Sequence, residues 1–372
     1  MDRAPRILIQ TFVGDAHAAA VAAQLRRSGV PCDLWYSNLY PAQQQITFRA
    51  NAGEYTYRIC DGTLTADISQ YSSIWYRRPT PPVCQGLQIH DADREYVSLQ
   101  ARTFFRMSIP VLAGQFAASP STRVINNIAA GFRAESKLLQ IAVAGEVGFN
   151  VPDTLISNEP EEIRSFVDGK HPVICKSLYP YGWEENGDAF VNACARVKPQ
   201  DLPSDAMLRA SPEIFQVEIP RRRELRLFIA GSFAVGVEIM PSSSDEVDWR
   251  LYHTSADATR PLRSIPHELE GRCRSLMDKL DLVTASIDVL EDDSGEIYFA
   301  DLNQAGQFLW MEDFGVPVLD GFCRFLTGKD NCSDAAPVAI GLEQIHQTAE
   351  FIELQNLETQ LPVPPAGSFG ST

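Results

Sequence analysis

The sequence predicts a mixed α/β chain of several sheets that opens with a β-α-β unit, and three features carry that prediction. Arg6 to Thr11 (RILIQT) is a compact apolar run, an alanine-rich stretch follows Asp15, and Cys32 to Tyr36 is a second apolar run. That order reads as strand, helix, strand. Short apolar strands then alternate with helical patterns along the rest of the 372 residues, a length that accommodates two or three domains. Finally, Ala285 to Gln307 (ASIDVLEDDSGEIYFADLNQAGQ) sets two apolar runs about an acidic Ser-Gly turn, the pattern of a hairpin.

Taken in order, Asp15 caps the first helix, which runs through Leu25 and stops at Ser28-Gly29, with His17 as part of the helix start. No G-x-G-x-x-G follows the first strand, so a dinucleotide site there has no support. Residues 46 to 60 read as a polar hairpin, and Ile74 to Arg77 as a strand running into PTPP, with Arg77-Arg78 as structural ion-pairing residues. Residues 91 to 107 form a helical pattern and Ile109 to Leu112 a strand. Ala129 to Ala144 reads as one helix carrying Lys137, ending at Gly145 before the strand-like VPDTLIS. Asn158 is expected to cap a short helix, EPEEIRSFV, and His171 to Leu178 to form an apolar strand holding one charged residue, Lys176. A lysine so placed calls for an anion. The following YPYGWEENGDAF reads as a polar loop of the kind that closes over a nucleotide.

Ile214 to Ile219, Leu225 to Ala230 and Ser232 to Met240 read as strands of a final sheet, the last two joined at Gly231. A helix from His267 to Leu280 leads into the acidic hairpin, a further helical stretch covers Gly341 to Glu358, and the last residues, VPPAGSFGST, are expected to be disordered.

Composition narrows the function classes. With 45% hydrophobic and 22% charged residues the chain is ordinary globular protein. A formal charge of -16 argues against nucleic acid or an anionic membrane as the main partner, because phosphate backbones are gripped by surplus Lys and Arg. The eight cysteines form no C-x-x-C pair and no zinc-like spacing with the six histidines, so they read as reduced thiols of a cytoplasmic protein. The first residues hold too brief an apolar run for a signal peptide, and no segment approaches the length of a spanning helix.

The acidic hairpin carries the chemistry. If Ser294-Gly295 is a two-residue tip, Asp288 lies directly opposite Asp301, and Asn303 shares the face of Asp301. Three oxygen donors looking at one point suit magnesium. The plain alternative is a hairpin with a solvated acidic face, since a one-residue slip of register would part the carboxylates.

A helix lysine (Lys137), a strand lysine (Lys176), the segment Gln216-Val217-Glu218-Ile219, then Glu224 and Arg226, then Asp288, Asp301 and Asn303 is a constellation whose order resembles that of ATP-grasp ligases. Within that fold, IWYRRP, GFNVPDTLISNEPEEIRSF, IFQVEIPRRRELRLFIAG, VDWR and NQAGQFLW resemble the microviridin-type ATP-grasp ribosomal peptide maturases, also called graspetide synthetases, over residues 6 to 328. Two departures stand out. Such enzymes usually show Glu-x-Asn-Pro before Gly-Gln-Trp, where this chain has Asp301-Leu302-Asn303-Gln304 before Gly306-Gln307-Phe308.

The resemblance implies an ATP-grasp fold with an N-terminal pre-grasp domain at 1–125, a central subdomain at 126–212, a C-terminal subdomain at 213–330 and a helical tail at 331–372. It implies ATP and Mg²⁺ as cofactors, with metal on Asp288, Asp301 and Asn303, phosphates on Lys137 and Lys176, ribose on Glu224, and adenine along the backbone of Gln216 to Ile219. Arg226 and Arg250 would steady developing charge or the substrate carboxylate; the candidates for a general base are Asp248 and His253. The implied partner is a ribosomal precursor peptide, leader plus acidic core, whose Asp or Glu is activated as an acyl phosphate and joined to a hydroxyl or amine; no nucleic acid or membrane is implied, and a homodimer is left open. The alternatives are a ligase of the same fold acting on free amino acids or small carboxylates, and a nucleotide- or peptide-binding homologue without catalysis.

Overall fold

The computed structural model describes residues 5–361 apart from 53, 61–64, 79–81, 83, 85–86, 113–121, 180–181, 186–187, 242, 244–246, 252–256 and 330–335. The tail VPPAGSFGST and His253 therefore lie outside the described residues.

In chain order the first elements are β1 (Ile7–Thr11), α1 (Ala16–Arg27), β2 (Cys32–Tyr36), β3 (Gln45–Asn51), β4 (Glu54–Cys60), β5 (Thr65–Asp67), β6 (Ser73–Tyr76), α2 (Arg94–Leu112) and β7 (Arg123–Ile125). Strands β2-β1-β6-β7 form a parallel sheet, and β3-β4-β5 an antiparallel one. β1 is apolar at successive positions because both its faces are covered. Ile7 and Ile9 join the alanines of α1, while Leu8 joins Trp35, Ile74 and Phe105 on the other side. The stretch Ile109 to Leu112, expected as a strand, is the last turn of α2. Four apolar residues do not separate a buried strand from a helix end.

Next come α3 (Ile128–Ala134), α4 (Lys137–Glu146), β8 (Thr154–Ser157), α5 (Pro160–Val167), β9 (Val173–Lys176), β10 (Gly182–Glu185), β11 (Asp188–Val191), β12 (Ala195–Val197), α6 (Asp205–Ala210) and β13 (Glu213–Val217). The expected single helix over Ala129 to Ala144 is two. Ser136 starts a new helix by accepting the Leu139 amide, so Lys137 opens α4 instead of sitting mid-helix. Asn158 does not cap α5: Glu159 holds that position with Pro160 behind it, and the Asn158 amide donates to Arg209 O. The polar loop after Tyr179 is an antiparallel hairpin of β10 and β11. β13 joins the sheet β12-β9-β13-β8, not the final sheet expected of it.

The last part holds β14 (Arg221–Ala230), β15 (Phe233–Ile239), β16 (Thr259–Pro261), α7 (His267–Lys279), β17 (Thr284–Asp292), β18 (Ile297–Asn303), α8 (Val318–Leu326), α9 (Leu342–His346) and α10 (Ala349–Gln360). Five strands in the order β16-β15-β14-β17-β18 form an antiparallel sheet. Alternation decides what each face does. Leu225, Leu227, Ala285, Ile287, Val289 and Leu302 pack against the α7 side, so Glu224, Arg226 and Asp288 are turned the other way.

The far end of that second face shares a core with the parallel sheet. Phe228, Ala230 and Val237 pack with Ile9, Trp75, Phe308 and Phe322. α8 closes this core over β15, where a Cβ on Gly321 would overlap the Phe233 ring. Gly321→Ala should therefore lower unfolding free energy by about 1–3 kcal/mol through overpacking; denaturant titration of the two proteins checks it, and equal midpoints would contradict this packing.

Candidate active site

A cavity of about 640 Å³ lies where the last two described sheets and the loop after β18 face the end of the parallel sheet. It is lined by Lys137, Lys176, Gln216, Glu218, Ile219 and Glu224, and also by Arg226, Arg250, Asp288, Asp301 and Asn303. Among the described residues assigned to nucleotide, metal or charge from the sequence, Val217 does not line it.

The hairpin of β17 and β18 places Asp288 opposite Asp301, and Ser286 opposite Asn303. It reaches this register by a route the sequence does not announce. The Asp292 amide donates to Glu296 O, so the tip has three residues, ending on Gly295 with φ of +86°. That shifts the pairs near the tip by one, and an irregularity beside Asp288, with Ala300 left over, shifts them back. Asn303 donates its amide to Asp301 Oδ2 at 3.2 Å, so the two share a face.

Each carboxylate has its own cation. Arg226 Nη1 meets Asp288 Oδ2 at 2.5 Å, and Lys137 pairs with Asp301 Oδ1. Burial raises the Asp288 pKa; Arg226 opposes this and the neighbouring charge of Asp301 adds to it. α4 holds the strand as well as its acid. Three residues after Lys137, the Gln140 amide donates to Leu302 O (2.9 Å) and accepts from Leu302 N (3.2 Å), clasping the peptide between Asp301 and Asn303. Among the described residues no group of three His, Cys, Asp or Glu side chains is arranged to hold a metal. The set here is two carboxylates and an amide, and the buried Ser286 hydroxyl on the neighbouring position has no hydrogen-bond partner. That all-oxygen chemistry fits a hard cation such as Mg²⁺ better than a soft one.

Lys176 does not meet the anion expected of it. Its ammonium donates to Gln216 Oε1 at 2.9 Å, and Gln216 in turn donates to Thr154. Glu218 is paired twice with Arg196, and its amide is donated to Pro172 O. Glu224 pairs with Arg221 at 2.6 Å. Asp248 is a poor general base. It accepts from Arg250 Nε (2.8 Å) and the Cys194 amide (3.0 Å). Burial pushes its pKa up, but these donors outweigh it and hold the group below the usual carboxylate value.

Three residues read as merely structural brace the loop after β18. Arg77 is fully buried, pairs with Asp15 at 3.3 Å, and donates to Ala305 O (2.5 Å) and Gly306 O (3.1 Å). Arg78 donates to the same Ala305 O. His17 Nε2 accepts the Phe308 amide at 3.0 Å and that of Leu309 at 3.3 Å. Gly306 sits so close that a Cβ would lie 2.7 Å from Ser286 Oγ and 3.1 Å from Arg226 Nη2. The sequence offers a partial signal in IWYRRP and NQAGQFLW, whose arginines and carbonyls prove to be partners. The VDWR segment joins them: Trp249 packs on Trp310 with centroids 5.4 Å apart, and Arg226 lies over the Trp249 ring.

The chain matches no protein-family model and no curated protein. Solved structures do match. Macrocyclase MdnC bound with precursor peptide MdnA, from Microcystis aeruginosa MRC, is similar over 87% of this chain and 99% of its own, at 23% identity and a TM-score of 0.72. A Chryseobacterium gregarium RiPP-associated ATP-grasp ligase, in complex with ADP and a leader and core peptide, is similar over 90% of this chain and 98% of its own, at 23% identity and 0.69. The ATP-grasp ligase PsnB, complexed with a phosphomimetic variant of its minimal precursor, Mg and ADP, is similar over 88% and 99%, at 18% identity and 0.65. The chain has the ATP-grasp fold.

To accept two amides, His17 Nε2 must be unprotonated. Burial, then the charge of Arg77, hold its pKa well below 6.5 against the pull of Asp15. The unfolded imidazole takes a proton below 6.5 that the folded one refuses, so stability is full above that pH and is lost as pH falls below it. His17→Gln keeps an acceptor without the titration. Its unfolding free energy should fall less than that of the parent between pH 7.5 and 5, by at most about 1.4 kcal/mol per pH unit; parallel profiles in urea would refute this.

Proposed function

We propose that the protein is an ATP-dependent ligase that activates Asp or Glu side chains of a ribosomally made precursor peptide as acyl phosphates and closes them onto a hydroxyl or amine, making side-chain esters or amides. The observation that carries this reading is the convergence of the ordered residues in one cavity of an ATP-grasp fold, with Asp288, Asp301 and Asn303 on a common face. The peptide complexes of the three neighbours in structure support the substrate class. We assign the pre-grasp domain to 1–125, the central subdomain to 126–212, the C-terminal subdomain to 213–330 and the tail to 331–372, and place the enzyme in the cytoplasm. Among the described residues no helix is long and apolar enough to cross a membrane. An acidic core and a homodimer belong to the same reading.

Roles follow from position. Gln216 to Ile219 flank the adenine with their backbone, and Glu224 holds the ribose. Lys176, whose partner is a neutral amide, is the cation most readily turned to a phosphate. Bound at Asp288, Asp301 and Asn303, Mg²⁺ would neutralise the terminal phosphates. Lys137 then has less reason to stay on Asp301 and becomes available to the transferring group. The peptide carboxylate oxygen attacks the terminal phosphorus as the bond to ADP breaks. A hydroxyl or amine next attacks the acyl carbon, phosphate leaves, and the peptide has lost one water per bond. Arg226 and Arg250 lie where the negative charge of both steps gathers.

Co-expression with candidate precursor peptides that carry a core of Ser or Thr with Asp or Glu, followed by mass spectrometry, tests the reading: each bond removes the mass of one water, about 18 Da by condensation stoichiometry. An unchanged peptide would count against it. Lys176→Ala and Asp301→Ala are each expected to abolish that product while leaving the circular dichroism spectrum intact, with a loss on the order of 3 kcal/mol or more in transition-state stabilisation; normal turnover by both would remove the site assignment. ADP release without peptide modification would favour the rival ligase of free amino acids or small carboxylates, and no ADP release a non-catalytic homologue.

A further inference from the structure

We propose that Arg78 is the residue that receives the peptide carboxylate to be activated, a specificity-determining contact that rests on the ligase reading above. The argument begins with the charges of the cavity wall. Arg77, Lys137, Arg221, Arg226 and Arg250 each pair with a carboxylate. Among the described residues Arg78 makes no ion pair, and it shares that state with Lys176, which leans on Gln216 of the neighbouring strand in its own sheet.

A guanidinium presents two forks to a planar acceptor. Arg78 spends its Nε and Nη2 hydrogens, at 3.2 and 3.0 Å, on the single carbonyl of Ala305. The second fork, Nη1 with the other Nη2 hydrogen, makes no hydrogen bond among the described residues, and the side chain lines the cavity. Its place is fixed. Ala305 also takes Arg77 Nη1, and it lies two residues beyond Asn303, so within about 7 Å of that residue along the chain. An anion seated on the open fork would lie in the cavity that Asp288, Asp301 and Asn303 also line.

The electrostatics call for such an anion. Burial, then the adjoining charge of Arg77, lower the Arg78 pKa to about 10, whereas Arg250, held by Asp248, is raised. A carboxylate would relieve the strain, and its two oxygens match the planar fork. One oxygen stays on the guanidinium while the other attacks phosphorus. Arg78 exchanges no atom and no proton in the step.

The probe is the linear form of the peptide that loses water on co-expression, synthesised once with its ring-forming Asp or Glu and once with Asn or Gln in their place. Binding of both is measured with MgADP present. The parent protein should prefer the acidic form at least tenfold. Arg78→Gln, which keeps a donor for Ala305, should bind both forms alike while its affinity for MgADP stays within twofold, which also shows that it folds. Arg78→Lys, with the charge but no fork, should keep part of the preference and serves if the glutamine variant fails to fold. A preference retained in Arg78→Gln overturns the proposal, as does a fall in MgADP affinity with the preference intact, which would put a phosphate on the fork. If the parent protein dehydrates no peptide, the ligase reading itself fails and this one with it.

Discussion

The site depends on two carboxylates made to face each other across neighbouring strands. Charges in a cross-strand pair about 5 Å apart repel by roughly 3 kcal/mol at an effective dielectric near 20. The fold offsets this with Arg226 on Asp288 and Lys137 on Asp301, two cations delivered by different elements, β14 and the first residue of α4. The arrangement does not fully relax Asp288, whose pKa burial still holds up. Crowded oxygen donors of this kind are the type that a hard divalent cation prefers.

The loop after β18 links that site to the parallel sheet. His17 from α1, and Arg77 and Arg78 just past β6, hold the backbone at Ala305, Gly306, Phe308 and Leu309. Phe308 lies beneath, against His17, Phe228 and Phe322. Trp is the usual residue there in the enzymes this chain resembles; here the position is a phenylalanine whose ring also meets Trp75. The other departure, Asp301 for Glu, coincides with the leftover Ala300 in the strand before it. Such irregularities re-aim the side chains that follow them.

The candidate residues could be picked out because they occur in a fixed order, which survives without coordinates, and all but Val217 of those assigned and described line one cavity. The opposition of Asp288 and Asp301 was expected from a two-residue tip, yet it holds only because a three-residue tip and the irregularity at Ala300 cancel. Partners far along the chain were not legible. Nothing near Lys176 in sequence points to Gln216, forty residues on, and nothing near His17 points to Phe308. The short apolar run Ile109 to Leu112 and the junction at Ser136 failed for a local reason: periodicity over four residues does not distinguish strand from helix, and one serine can end a helix's continuity by capping the next.

By itself the sequence determined the β-α-β opening, the antiparallel hairpin and the identity of the charged and oxygen-bearing side chains, since these follow from side-chain periodicity and residue chemistry over short windows. Tertiary structure alone decided which cation each acid meets, that β13 leaves the last sheet, and that Arg78 keeps an open fork beside the loop at Ala305. The reason is physical. Pairing of buried charges is set by which strands and helices pack together, and that packing is settled by the whole apolar surface, not by any segment.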